Sequence, residues 1–432
     1  MSNNRSTHPL RALRHRNFRL FFAGQLISLC GTWMQQVAQS WLIYRLTHSA
    51  LLLGFVGFAG QIPSFLFGPL GGDVADRFDR RKTIIITQTL SMILAFVLAA
   101  LTLGNVIRQW EIFVLAALLG VVNAFDVPVR QAFLVQMVER EDLMNAIALN
   151  SSMFNGARIV GPAVAGLLVA AIGEGWCFFA NAVSYIAVII GLVMMTTPAL
   201  THRTLTGSPL LNMMEGFRYV VHTGPIRALL LLLGLASFAG MPYTVLMPVF
   251  ADDIMHAGAR GLGILMGASG AGALIGSIML AMRSTVRGLG TWVGAAATLF
   301  GVTAIAFSFS RNLALSCVLL VLVGIGMMVQ TASSNTLIQS MVPDALRGRV
   351  MAVYAMMFVG LGPIGALVAG SLAQHIGAPL TVAAGGVLTI LGAVAFMARL
   401  PALRGEARQL IIAQQPGAGE PVEQTTATGA ER

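Results

Sequence analysis

The sequence predicts an all-α membrane protein of twelve transmembrane helices, arranged as two pseudo-symmetric six-helix bundles. Three observations carry this. Of the 432 residues, 56% are hydrophobic and only 10% are charged, too few charges to cover a water-exposed surface. Long apolar runs such as 83–104 and 313–330 recur along the chain, and each can cross about 30 Å of hydrocarbon at 1.5 Å per residue. The second half also repeats the first. Residues 145–173 laid without gaps on 349–377 share eleven identities, including Phe154/Phe358, Gly156/Gly360, Gly161/Gly365, Gly166/Gly370 and Gly173/Gly377. At the same offset of 204, Gly72 falls on Gly276. Shared glycines at helical spacing mean shared close packing.

In chain order, the arm 1–17 is polar and basic, and the first apolar run after it is a full span followed by eleven more. A cleaved leader is therefore not expected, and the arm should stay in the cytoplasm. Spans are expected at 18–44, 50–75, 83–104, 110–128, 146–172 and 176–197, which form a first bundle over 18–198. A polar stretch, 199–226, divides the chain, and Met213–Val221 within it has the pattern of an amphipathic helix on the inner leaflet. Spans at 227–250, 262–282, 289–309, 313–336, 349–373 and 379–399 form the second bundle, 227–400. From 401 to 432 the composition turns to Gln, Gly, Thr, Glu and Pro, which predicts a disordered tail.

Charge fixes the orientation. With both termini inside, 22 of the 27 Lys and Arg lie in inner segments; Arg45, Arg108, Arg260 and Arg311 lie outside, and Arg158 falls within a span. The bias requires an even number of spans with cytoplasmic termini in an inner (plasma) membrane. It also removes nucleic acid as the partner for a formal charge of +10. Cys30, Cys177 and Cys317 sit in apolar runs, so neither a disulfide framework nor a metal site is implied.

The segment GGDVADRFDRRK, 71–82, joins the second and third spans. It resembles the loop signature of the major facilitator superfamily, with Gly72, Asp76, Arg77, Arg80 and Arg81 on matching positions and Asp79 where a second Gly is usual. The resemblance implies a latch: Gly72 lets the second span pack against the eleventh, Asp76 caps the eleventh helix, and the base after it pairs with an acid on the fourth span. A helix N-terminus does favour a carboxylate, and a buried acid needs a partner. Asp126, in NAFDVPVRQAF, is the one acid deep in a span, followed by the helix-weakening Pro128. Counted from Trp110 it lies near the inner end, a place that suits an ion pair with Arg80 or Arg130, with proton carriage as the other reading.

The fifth span carries ARIVGPAVAG, 157–166, which resembles the antiporter signature of drug:proton exporters at Gly161, Pro162 and Gly166; Ala157 and Ala165 stand where that pattern has Gly. Small residues let this helix approach the eighth span, and Pro bends it. Together with LRHRNFRLFFAGQLIS near the N-terminus, the stretch from Asn123 to Gly173 resembles the branch that holds enterobactin exporters and macrolide efflux pumps. Export across the inner membrane in exchange for protons is what that resemblance implies.

Polar residues on apolar helices mark candidate cargo contacts. On the first span Gln25, Ser28, Thr32, Gln35 or Gln36, and Gln39 recur at spacings of three and four on one face, which must look into protein or a water-filled cavity. Inter-helix hydrogen bonding is the other explanation for them. On the fifth span Asn150, Phe154 and Arg158 lie one turn apart beside Asn155, and Arg158 is the only base deep in a helix. Gln330, Ser334 and Asn335 on the tenth span and Tyr354 on the eleventh mirror them. No HExxH, GxSxG or phosphate-cradling GxxxxGK[ST] occurs, so no enzyme chemistry and no cofactor are expected. The sequence thus predicts a monomeric secondary exporter of small amphipathic organic solutes, of drug or siderophore type, working by alternating access with proton antiport. An importer, a lysophospholipid flippase or a non-transporting receptor of the same fold are the alternatives.

Overall fold

The computed structural model of the chain describes residues 10–196, 209–283 and 285–414. The expectations for 1–9, for 197–208 and for 415–432 lie outside the described residues. Six helices form the first bundle: α1 (Arg16–Thr47), α2 (Ala50–Arg77), α3 (Arg80–Leu103), α4 (Gln109–Leu134), α5 (Leu143–Ile172) and α6 (Glu174–Val193). A linker helix, α7 (Pro209–His222), covers the predicted amphipathic segment. The second bundle holds α8 (Gly224–Ile254), α9 (Gly258–Ala281), α10 (Leu289–Phe309), α11 (Leu313–Met341), α12 (Asp344–Ile376) and α13 (Ala378–Ala413). Among the described residues there is no strand. Among the described residues, eleven helices are long and apolar enough to cross a membrane. The remaining span, α1, has 32 residues interrupted by the glutamine row.

The predicted repeat appears as matched geometry. α5 and α12 end on Gly173 and Gly377, at φ 89° and 85°, a positive-φ conformation that glycine adopts without a Cβ penalty. Gly161 of α5 packs on Cys30 and Trp33 of α1, while its counterpart Gly365 of α12 packs on Phe238 of α8. Gly166 and Gly370 each meet a glycine of the opposite bundle, Gly263 on α9 and Gly54 on α2. The same positions therefore make the same kinds of contact in each half.

Two features differ from the sequence expectation. The tail does not begin at 401: α13 runs through Pro401 to Ala413, because Ala407, Leu410 and Ile411 form an apolar stripe that packs on the second bundle, and Glu406 accepts from the backbone N–H of Gly224 at 3.3 Å. The seventh span is also not a regular helix. Pro242 and Pro248 remove donors from α8, which winds through a wide turn at Ala236–Gly240, a tight turn at Met241–Thr244 and a second wide turn at Phe250–Ile254. α12 carries one wide turn, Met356–Gly360. Irregular backbone at membrane depth is tolerated where protein or a cavity surrounds it.

Candidate functional site

Among the described residues the two bundles touch from the Tyr44 end as far as mid-span, where Gly270 meets the Arg158 backbone and Gly360 meets Phe65. At the end bearing Tyr44, one apolar cluster spans both, joining Leu42, Leu53 and Val169 to Phe250, Leu262 and Ala373. Backbones meet there: a Cβ on Gly370 would lie 2.7 Å from the carbonyl oxygen of Ala50, and one on Gly263 would lie 2.5 Å from that of Pro162. Tyr44 of α1 donates to Asp253 of α8, and Ser49 donates to Gln374 at 3.2 Å. His48 lies beside the first of these bonds; its ring and the Asp252 and Asp253 carboxylates bring ligand atoms within 4.8 Å of one another. At the opposite end, bearing Asp76, the cores are separate, one wholly in the first bundle and one wholly in the second. Gly68, Gly72 and Gly156 have nothing within 4 Å of where a Cβ would stand. A cleft between the bundles is therefore open at the Asp76 end and sealed at the Tyr44 end.

Tyr44→Phe removes a hydrogen bond that exists only in the sealed arrangement. A bond to an exposed carboxylate contributes about 1 kcal/mol, so the population open at the Tyr44 end should rise roughly fivefold. Thiol labelling of a cysteine placed at Ser49 reads that shift; unchanged labelling would remove Tyr44 from the seal.

In this arrangement the latch residues stand apart from α12. Gly72 faces open space, Asp76 pairs with Arg80 at 3.6 Å, and the N-terminus of α12 has no side-chain cap. The basic cluster ties helix ends together instead. Arg80 donates to the carbonyls of Ala75 and Ala132, and Arg81 to those of Leu192 and Val193 at the end of α6, where cations are favoured. Arg77 pairs with Asp73. Asp126 is buried at 2% exposure, more than two turns from the end of α4. Thr87 and Gln88 donate to its Oδ1 at 2.7 and 2.9 Å, and Arg130 stands 3.2 Å from Oδ2. Of the two expected partners, then, Arg130 holds this carboxylate. Arg80 is engaged by carbonyls and by Asp76.

The polar row of α1 is turned mainly toward its own bundle. Asn181 of α6 donates to Gln35 at 2.7 Å, Thr32 bonds back to the carbonyl of Ser28, and Gln25, Ser28 and Gln39 are buried; Gln36 is exposed. The periodicity identified an inward face correctly, yet that face is largely the α1–α6 contact. α5 does supply the cleft: Phe154 is 45% exposed, and Asn150, Asn155 and Arg158 are half-buried. Asn155 bonds back to the carbonyl of Ser151. Trp33, not singled out from sequence, meets Phe154 edge-on at 5.6 Å and lies 5.8 Å beneath the Arg158 guanidinium. A tryptophan at the middle of a span, within the polar row, was the available signal. Tyr243 of α8 was missed as well; it is buried, with its hydroxyl 2.7 Å from that of Ser269.

On the second bundle Ser334 and Gln330 are buried with side-chain atoms unpaired, and Gln330 lines a small internal cavity with Ser237 and Thr331. Tyr354 donates to the carbonyl of Thr331 at 3.1 Å, and Asn335 accepts from Gln339. Outside the spans, Asp142 gathers His15, Arg14 and Arg11, and the His15 bond with these charges holds its carboxyl below the usual range.

A family model described as transmembrane secretion effector matches residues 7–425. Among curated relatives, the staphyloferrin A transporter of Staphylococcus aureus is 26% identical over 86% of this chain and 93% of its own length. The multidrug efflux pump Tap of Mycolicibacterium fortuitum is 28% identical over 92% and 98%, and the enterobactin exporter EntS of Shigella boydii 27% over 83% and 85%. Among solved structures, the nucleoside transporter NupG matches with a TM-score of 0.70 at 16% identity, covering 88% of this chain and 98% of its own. The D-xylose-proton symporter matches at 0.69 and 14%, covering 91% and 98%. These two likenesses establish the fold alone.

Proposed function

We propose, from the premise that this chain belongs to the transmembrane secretion effector family and is a multi-pass membrane transporter of the major facilitator type, that it exports small amphipathic organic solutes by alternating access. The observation that carries this is the cleft itself, sealed at the Tyr44 end, open at the Asp76 end and headed at mid-membrane by Trp33, Phe154 and Arg158. The positive-inside bias assigns the Asp76 end to the cytoplasm, so this is the state that receives cargo from inside. The efflux and export activities named for the relatives support the outward direction.

Transport then needs the seal to move from one end to the other. Gly72 closes against α12, Asp76 approaches that helix's uncapped N-terminus, and the Tyr44–Asp253 bond parts. Proton exchange is assigned to Asp126, which among the described residues is the buried carboxylate farthest from a helix end. Protonation would weaken its pairing with Arg130 and let α4 adjust against α2 and α3. The seam between Arg80, Ala75 and Ala132 couples those helices.

In everted vesicles with a respiration-generated pH gradient, antibiotics, dyes and catecholate siderophores should include a compound that dissipates the gradient. Asp126→Asn keeps the side-chain shape and should lower that proton flux at least about tenfold, while the variant still inserts. Undiminished flux in the variant would remove Asp126 from coupling, and uptake with the opposite orientation would support an importer.

A further inference from the structure

We infer that Arg158 is an anion subsite, and that the cargo carries a negatively charged planar group beside an aromatic body. This rests on reading the cleft as the cargo path. The residue lies at the midpoint of α5, about 22 Å from either end of the helix. Its backbone marks the place where the bundles part: outward of it Pro162 and Gly166 lie against α9, and inward of it Gly156 faces open space.

The guanidinium has no hydrogen bond and no carboxylate among the described residues; its contact is the face of Trp33. The acids set within or at the ends of neighbouring spans hold other partners. Asp126 is held by Thr87, Gln88 and Arg130, Glu174 by Arg45, and Asp253 by Tyr44. The polar neighbour on α8, the Tyr243 hydroxyl, is engaged by Ser269. An arginine left unpaired at this depth is costly, and its half-buried side chain at the head of the open cleft is where water can offset part of that cost.

The cost returns when the cleft closes. Sealing the Asp76 end removes that water, so occlusion of an empty cleft, or of one holding a cation, strands an uncompensated charge in low dielectric. A carboxylate in the cleft restores the balance, because the planar fork of N–H donors matches its two oxygens. Trp33 and Phe154 then offer faces and edges for the aromatic part. The same residue thus selects cargo by charge and ties closure to occupancy.

The test uses the full chain purified in detergent and two xanthene dyes of similar size and opposite charge, fluorescein and rhodamine 6G. Fluorescence anisotropy reads binding, and accumulation in everted vesicles reads transport. Fluorescein should bind at least about tenfold more tightly than rhodamine 6G. Arg158→Gln should abolish that preference, Arg158→Glu should reverse it, and Arg158→Lys should keep its sign. Equal or tighter binding of rhodamine 6G by the wild type, absence of fluorescein binding, or a fluorescein preference surviving in Arg158→Gln overturns the subsite. Should the Gln and Glu variants fail to fold, loss of the preference in an Arg158→Lys protein that elutes like the wild type also overturns it. Fluorescein binding without accumulation would keep the subsite and sink the export reading. Accumulation of rhodamine 6G without fluorescein binding would do the reverse.

Discussion

Gly263→Leu is expected to leave the chain folded in the membrane and to lower transport roughly tenfold to a hundredfold. At this position a Cβ would stand 2.5 Å from the carbonyl oxygen of Pro162, 2.9 Å from the amide nitrogen of Gly166 and 2.8 Å from its Cα. All three are backbone atoms, so no rotamer change relieves the clash, and α5 must move away from α9. Overpacking of this kind costs about 1–3 kcal/mol, and each 1.4 kcal/mol is tenfold in a population. The cost falls only on the state sealed at the Tyr44 end. Within each bundle the substitution gains helix propensity of about 1 kcal/mol, which is why folding should survive. Labelling of a cysteine at Ser49 should therefore increase while accumulation in everted vesicles collapses. Gly156→Ala, on α5 but with nothing within 4 Å of its Cβ, should transport almost normally. Normal flux in Gly263→Leu would show that the α5–α9 contact is not part of the cycle.

Gly72→Leu should produce a loss of similar size by the opposite route. Gly72 stands eighteen residues, or five helical turns, beyond Gly54 on α2, so both lie on one face. Gly54 already packs on Gly370 of α12, with the carbonyl oxygen of Ala366 2.5 Å from where a Cβ would stand. Over the stretch of α12 nearer the Asp76 end, Ala352 and Ala355 are exposed. If that face of α2 closes on α12 during transport, a leucine at 72 fits the present arrangement and blocks the next one. Overpacking again supplies about 1–3 kcal/mol. Labelling at Ser49 should fall, not rise, and that opposite sign separates the two variants from general damage. Normal transport in Gly72→Leu would remove the latch.

Much of this protein was legible in its sequence, for physical reasons that can be named. The bilayer demands long apolar helices and penalises misplaced charge, so spans and the lone midspan Arg158 stand out without any tertiary information. Close helix contacts demand glycine, so the eleven identities between 145–173 and 349–377 announced the matched packing of Gly166 and Gly370. The end of α13 was misread because Pro401 and a polar composition outweigh, in a local reading, a stripe that gains its stability from packing on the second bundle. The α1 row shows a related limit. Period three-to-four fixes which residues share a face, but a bundle interior and a transport cleft both accept glutamine.

What the sequence determined by itself was therefore the membrane fold, the two halves and the residues too polar to face lipid, because each follows from local chemistry against a uniform solvent. Only the tertiary structure decided that Gln35 belongs to Asn181 while Arg158 belongs to no acid among the described residues, that Arg130 holds Asp126, and that the bundles meet at Tyr44 and part at Gly72. Those are distances between helices far apart in the chain, and periodicity along one helix carries no information about what stands opposite.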